Sequence, residues 1–143
     1  MRTIKFRGKS LENGEWLYGD LIHYEWEPEQ PYPYIQTGME RNEHGIMQTR
    51  GGRVNPSTIG QFTGLTDNNG KEIYEGDILL FCDSIKSEVK FHHGGFGYTT
   101  PSGNFLLGGN PNFDFNPDDK DERFEIIGNI YDNPELLEGG SNE

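Results

Sequence analysis

Between Val54 and Phe81 turn chemistry recurs every few residues, and no helix of about ten residues fits between the turns. Asn55-Pro56-Ser57 opens the segment: proline sets φ, while Asn and Ser can bond nearby backbone. Ile59 to Leu65 reads as a strand carrying Ile59 and Phe62, with Gly60 and Gly64 as bulge or bend positions. Asp67-Asn68-Asn69-Gly70 is a turn, and Lys71 to Tyr74 a short extended piece. Glu75-Gly76-Asp77 then kinks the chain into the apolar strand Ile78-Leu79-Leu80-Phe81-Cys82. A chain that turns this often buries apolar surface only by pairing short strands.

The flanking regions read the same way. Thr3 to Arg7 alternates, with Ile4 and Phe6 on the inward face and Thr3, Lys5 and Arg7 on the other. Asn13-Gly14 is a hairpin turn, and Glu15 to Ile22 alternates again, so residues 1–22 predict a β-hairpin. Pro28, Pro31 and Pro33 make residues 25–33 a loop or irregular edge. Tyr34 to Thr37 is a candidate strand, and Met39 to Gly52 is either a long exposed hairpin or a disordered loop. After Cys82 come Glu88–Phe91 (Val89 and Phe91 inward), Phe96–Thr99, Phe105–Leu107 and Phe124–Ile127. With Ile78–Cys82 that makes five short strands, the number of a small SH3-like barrel. Asn133-Pro134 starts at most one helical turn over residues 133–137, with Asn133 as its N-cap. The expectation is an all-β chain: an N-terminal β subdomain (1–53, irregular over 25–53), an SH3-like β-barrel subdomain (54–138), and a flexible tail (139–143). The motifs Tyr18-Gly19-Asp20 and Tyr74-Glu75-Gly76-Asp77 both read as strand-edge turns.

Composition decides which functions remain. Aromatic residues are 13% of 143, enough to build a core from few aliphatics. The formal net charge is −12, and it is unevenly spread. Residues 1–53 have 7 Lys+Arg against 8 Asp+Glu, while residues 54–143 have 5 against 16. Phosphate backbones are bound by Lys and Arg, so direct nucleic-acid binding is disfavoured. The lone Cys82 forms no intramolecular disulfide, and no apolar h-region follows Met1, which together predict a cytoplasmic protein. No apolar run approaches 18 residues, so no membrane-spanning helix is expected.

The order of motifs resembles the YopX-like family of bacteriophage and prophage proteins. The resemblance is carried by Ile4-Lys5-Phe6-Arg7, Trp16-Leu17-Tyr18-Gly19-Asp20-Leu21 and the run from Val54 to Asp67. It continues through Gly70 to Ile78 and Phe124 to Leu137, while Glu25 to Arg53 has no counterpart. The resemblance implies a β fold with an N-terminal β part and an SH3-like C-terminal part. It also implies a bacterial host and a mobile-element origin, and it brings no catalytic residues.

Residues with chemical potential mostly read as architecture. The Asp77 carboxylate can accept backbone N–H groups in its turn. Gln61, Thr63 and Asn129 either fix turns by side-chain bonds or line an interaction groove. The run Asp114 to Glu125 places acids like a calcium loop, but Asp119 stands where the sharp turn needs Gly, and no flanking helices are expected. His92-His93 point to opposite faces of a strand, and Cys82 ends an apolar strand where thiols are inert. No catalytic, cofactor-binding or metal residue is therefore assigned, and no cofactor is expected.

The reading that follows is a non-enzymatic module binding an unknown host or phage protein. The alternatives are an acidic nucleic-acid mimic that inhibits a host DNA-binding protein, a weak nucleic-acid binder using Arg2, Lys5, Arg7 and Lys9 interleaved with Phe6 near Trp16, and an enzyme of unrecognised type. Strand edges also make a homo-oligomer possible. Calorimetric titration with millimolar Ca²⁺ is expected to give no binding heat; a saturable heat would restore the calcium loop.

Overall fold

The computed structural model describes residues 3–24, 32–81, 85–92, 95–100, 103–106 and 124–137. Its strands are β1 (Phe6–Lys9), β2 (Trp16–Ile22), β3 (Tyr34–Arg41), β4 (Met47–Arg53), β5 (Gly60–Thr66), β6 (Glu72–Tyr74), β7 (Asp77–Phe81), β8 (Ile85–His92), β9 (Gly95–Thr100), β10 (Gly103–Leu106) and β11 (Phe124–Asn129). They form two antiparallel sheets, so the all-β expectation holds. No helix among the described residues is long and apolar enough to cross a membrane. The helical content differs from the single turn expected: there are 3-10 turns at Pro56–Thr58 and at Pro134–Leu136.

The chain divides into two compact units, Met1–Phe62 and Thr63–Glu143. The division falls inside β5 rather than at residues 53 and 54, because residues 54–61 bind β1. Val54 bridges Ser10, the Lys9 N–H donates to Thr58 Oγ1 (2.9 Å), and β5 sets Gln61 opposite Phe6 and Gly60 opposite Arg7.

The first unit follows the order β4-β3-β2-β1-β5. β1 and β2 form the predicted hairpin, with Arg7 opposite Tyr18 and Lys9 opposite Trp16. The strand starts later than alternation suggests, so Ile4 lies before it and is exposed. Arg7, read as outward, is only 5% exposed. Tyr18-Gly19-Asp20 lies within β2 and is no edge turn. Residues 34–53 form a long hairpin. Asn42 closes its turn, with Oδ1 accepting the N–H groups of His44 (2.9 Å) and Ile46 (3.0 Å). Ile35 and Val54 are fully buried in this unit.

In the second unit the end of β5 lies beside β6, and the five strands read after residue 77 appear as one sheet of order β10-β9-β8-β7-β11. Among the described residues no pairing joins β10 to β11. Ile73, Leu79, Val89 and Phe124 form its core, with Leu65, Phe81, Tyr98 and Ile126 against them. Each such side chain contributes about 1.5–3 kcal/mol by leaving water. Phe81 centres this packing, 4.4 Å from the Tyr98 ring and 5.5 Å from that of Phe124. Phe91 departs from the inward expectation and is 56% exposed. It pairs with Phe96 near the far end of β8, where their rings meet edge to face at 5.1 Å.

Side-chain oxygens fix the turns. The buried Asp77 carboxylate accepts the Tyr74 N–H at 2.7 Å, as anticipated. Between them Gly76 takes φ 91°, a conformation that favours glycine. Its N–H donates to Val89 O and its carbonyl accepts the Ile130 N–H, both at 2.9 Å. Asp67 does more: Oδ1 accepts the N–H groups of Asn69 and Lys71 (both 2.9 Å), and Oδ2 that of Ile126 (3.0 Å). Asn133 does not cap its own turn. Its Oδ1 accepts the Asn129 N–H at 3.3 Å and would lie only 2.6 Å from a Cβ on Gly128.

Asp67→Ala strands three backbone N–H groups, and at about 1–3 kcal/mol for each one left buried it is expected to cost about 3 kcal/mol in urea unfolding. An unchanged midpoint would show that water replaces the carboxylate without loss. Gly128→Ala is expected to lower the midpoint as well, by forcing Asn133 off Asn129.

Candidate functional site

Residues two apart on a strand share a face, and directly paired residues share it across strands. One face of the first unit therefore collects Lys5, Arg7 and Lys9 from the β1 segment, Trp16 and Tyr18 from β2, Tyr34 from β3, Arg53 from β4 and Phe62 from β5. The cations lie on the rings. Arg7 Cζ is 4.6 Å from the Trp16 centroid, Lys9 Nζ 5.5 Å from the same ring, and Lys5 Nζ 5.3 Å from Phe62. Arg53 Cζ lies 4.9 Å from the Tyr24 ring, which meets Tyr34 edge to face at 6.2 Å. The Arg53 Nη1 also donates to Tyr32 O at 2.7 Å. Contacts of this kind contribute about 0.5–2 kcal/mol each, more where water is excluded.

The same face runs out along the β3–β4 hairpin. A register shift between Gln36 and Gly38 inserts Thr37 as an extra residue in β3. The inserted residue returns Met39 and Arg41 to the face of Gln36, opposite Thr49 and Met47. Gln36 Nε2 donates weakly to Met39 Sδ (3.4 Å), and Tyr34 Oη shares a hydrogen bond with Thr49 Oγ1 (3.3 Å). Here the surface turns apolar and open: Met39 and Met47 share this face and are 47% and 48% exposed, and Ile46, next to Met47 at the hairpin turn, is 61% exposed.

The described polar residues singled out for chemistry each serve the fold separately. Thr63 Oγ1 donates to Ile73 O at 2.9 Å, and Asn129 Oδ1 accepts the N–H groups of Tyr131 (3.0 Å) and Asp132 (2.8 Å). Asn129 fixes the turn after β11, while Thr63 ties β5 to β6. Gln61 sits on β5 opposite Phe6. Cys82, His93 and Asp114 to Arg123 lie outside the described residues, and His92 ends β8. Glu125 is exposed, with Oε1 3.4 Å from Asn69 Nδ2. Among the described residues no three His, Cys, Asp or Glu side chains come together as a metal site. Sequence reading linked Trp16 to the basic strand but missed Phe62, Arg53 and Tyr24, which join that face only through strand order. Of the two readings of Met39 to Gly52 the structure has the exposed hairpin, but alternation did not reveal its apolar face because Thr37 breaks the period.

A family model described as YopX protein matches residues 5–138, so the chain belongs to the YopX family. No curated protein matches the chain. The crystal structure of protein EF1440 from Enterococcus faecalis is similar to it, with 26% identity and a TM-score of 0.61 over 96% of this chain and 100% of that one.

Trp16→Ala removes the ring under two cations and is expected to lower unfolding free energy by about 2 kcal/mol, less than for a fully buried Trp. Urea titration tests this, and a loss under 0.5 kcal/mol, on the order of an ordinary surface change, would show that the ring supports nothing.

Proposed function

We propose that this member of the YopX family is a non-enzymatic protein-interaction module whose partner is a protein of its bacterial host or of the mobile element itself. The observation that carries the reading is the β3–β4 hairpin, where Met39 and Met47 stand exposed on one face, diagonal across the two strands, with Ile46 exposed at the adjoining turn. Isolated exposed apolar residues are ordinary, whereas a cluster is a docking feature. Methionine suits that use because its unbranched, polarizable side chain adapts to a partner's shape.

Two further features support the reading against its rivals. A phosphate-binding face needs cations presented to solvent, whereas Arg7 is buried against Trp16, in a chain of net charge −12. Thr63, Asp67, Asp77 and Asn129 commit their side-chain oxygens to backbone groups at turns and between strands. An oxygen committed in this way makes a poor base or nucleophile.

Immobilised protein is expected to capture a specific partner from host or phage-infected lysate, identified by mass spectrometry. The double variant Met39→Asp, Met47→Asp is expected to reduce that capture at least tenfold while keeping the wild-type far-UV spectrum. Capture no different from bare matrix across growth phases would overturn the proposal. A gel shift with single-stranded or duplex DNA at low salt would transfer the function to nucleic acid.

A further inference from the structure

Resting on the interaction-module reading, we infer that the outer edge of β4 takes up an extended, acidic segment of the partner protein as an added strand. A strand at a sheet edge presents unpaired N–H and C=O groups, and proteins protect such edges with prolines, short lengths, bulges or covering segments. Among the described residues β4 ends its sheet, and it has seven residues, Met47–Arg53, with no proline. Residues 47–51 are exposed. The extra residue of the register shift belongs to β3, so Met47 to Arg50 pair in step with it, and β4 departs from regular strand geometry only beyond them, at Gly51 with φ 144°. The other edges differ. β6 has three residues and β10 four. At β11 the Phe124 carbonyl accepts the Asn68 N–H (3.0 Å) and the Ile126 N–H donates to Asp67.

The ladder identifies which amides are available. The Asn42 N–H donates to Ile46 O at 2.9 Å, which makes that pair a hydrogen-bonded one. Antiparallel pairs alternate, so Arg41–Met47 and Met39–Thr49 are non-hydrogen-bonded pairs, and Glu40–Gln48 lies between them. The N–H and C=O of Met47 and Thr49 therefore point out of the sheet, while those of Gln48 point into it.

Charge and alternation specify the occupant. From Ile46 to Thr66 the chain has no acidic residue, in a protein with 24 acids, and Arg50 is the cation of the exposed stretch, Arg53 being turned to Tyr24 and the Tyr32 carbonyl. Met47 and Thr49 lie on one face of the edge, and Gln48 and Arg50 on the other. The complementary strand alternates apolar residues beside Met47 with Asp or Glu beside Arg50. A second copy of this chain fits less well, since antiparallel β4–β4 pairing centred on Arg50 sets two guanidinium groups against each other.

A labelled decapeptide alternating Val and Glu is the probe, with alternating Val and Lys as control, read by fluorescence anisotropy on the full chain. The Val/Glu peptide is expected to bind and the Val/Lys peptide not. Thr49→Pro removes one outward amide and is expected to weaken binding at least tenfold. Thr49→Val, which keeps the amide and loses only the hydroxyl, is expected to bind as wild type. Arg50→Glu changes only an exposed side chain and is expected to exchange the two peptides' order. Wild-type binding by Thr49→Pro, or equal binding of both peptides, would overturn the inference. So would a wild-type dimer in sedimentation that Thr49→Pro dissociates, since a second copy would then fill the edge. If Thr49→Pro still captures the lysate partner that wild type captures, the interaction module stands and the β4 edge is not its site.

Discussion

The Asp67 carboxylate is the interaction on which the second unit most depends. It sits in the turn between β5 and β6, yet one of its oxygens reaches Ile126 in β11, 59 residues later. The neighbouring Asn68 N–H, bonded to Phe124 O, repeats the link. A turn of this kind does two things. It satisfies amides that a tight reversal leaves without strand partners, and it fixes where the last strand enters. Phe124 then reaches Phe81, and Ile126 the edge of the Ile73–Leu79–Val89 core. Ladder bonds alone would leave such short strands free to slip. A carboxylate that accepts three N–H groups from two elements opposes slippage because every other register strands at least one of them.

The first unit solves the same problem differently. Its register is held by large side chains that cross strands: Trp16 under Arg7 and Lys9, Phe62 under Lys5, and Tyr24 under Arg53. These contacts bury the hydrocarbon of the basic residues while spreading positive charge over ring faces. Beyond Thr37 the aromatic contacts stop, and the hairpin continues with methionines and arginines in solvent. The change from filled face to open arm is what separates supporting residues from presenting ones.

Much of this fold was legible in the sequence because turns are local. Asn13-Gly14, Asp67 to Gly70 and Gly76-Asp77 are punctuation whose physics lies within four residues, and all appear where expected. Strands β7 to β11 followed from short apolar runs between such marks. Errors occurred where a partner decides. Ile4 alternates correctly but precedes the strand, Phe91 has the right parity but lies beyond the core, and Asn133 has the right position for a cap yet bonds backward to Asn129. The candidate surface was hardest to see, since one inserted residue at Thr37 hides the period of a hairpin that pairs regularly on either side.

The sequence by itself determined the class of fold, the places where the chain reverses and the sign of its charge, because each depends on residue type and near neighbours. It also determined membership of the family, whose matched segments lie along nearly the whole chain. Only tertiary structure decided which strands lie at edges, which cations rest on rings and which apolar residues stay in water. Those properties depend on strand order and register, which place Lys5 beside Phe62, 57 residues away, and among the described residues set β4 at the end of its sheet.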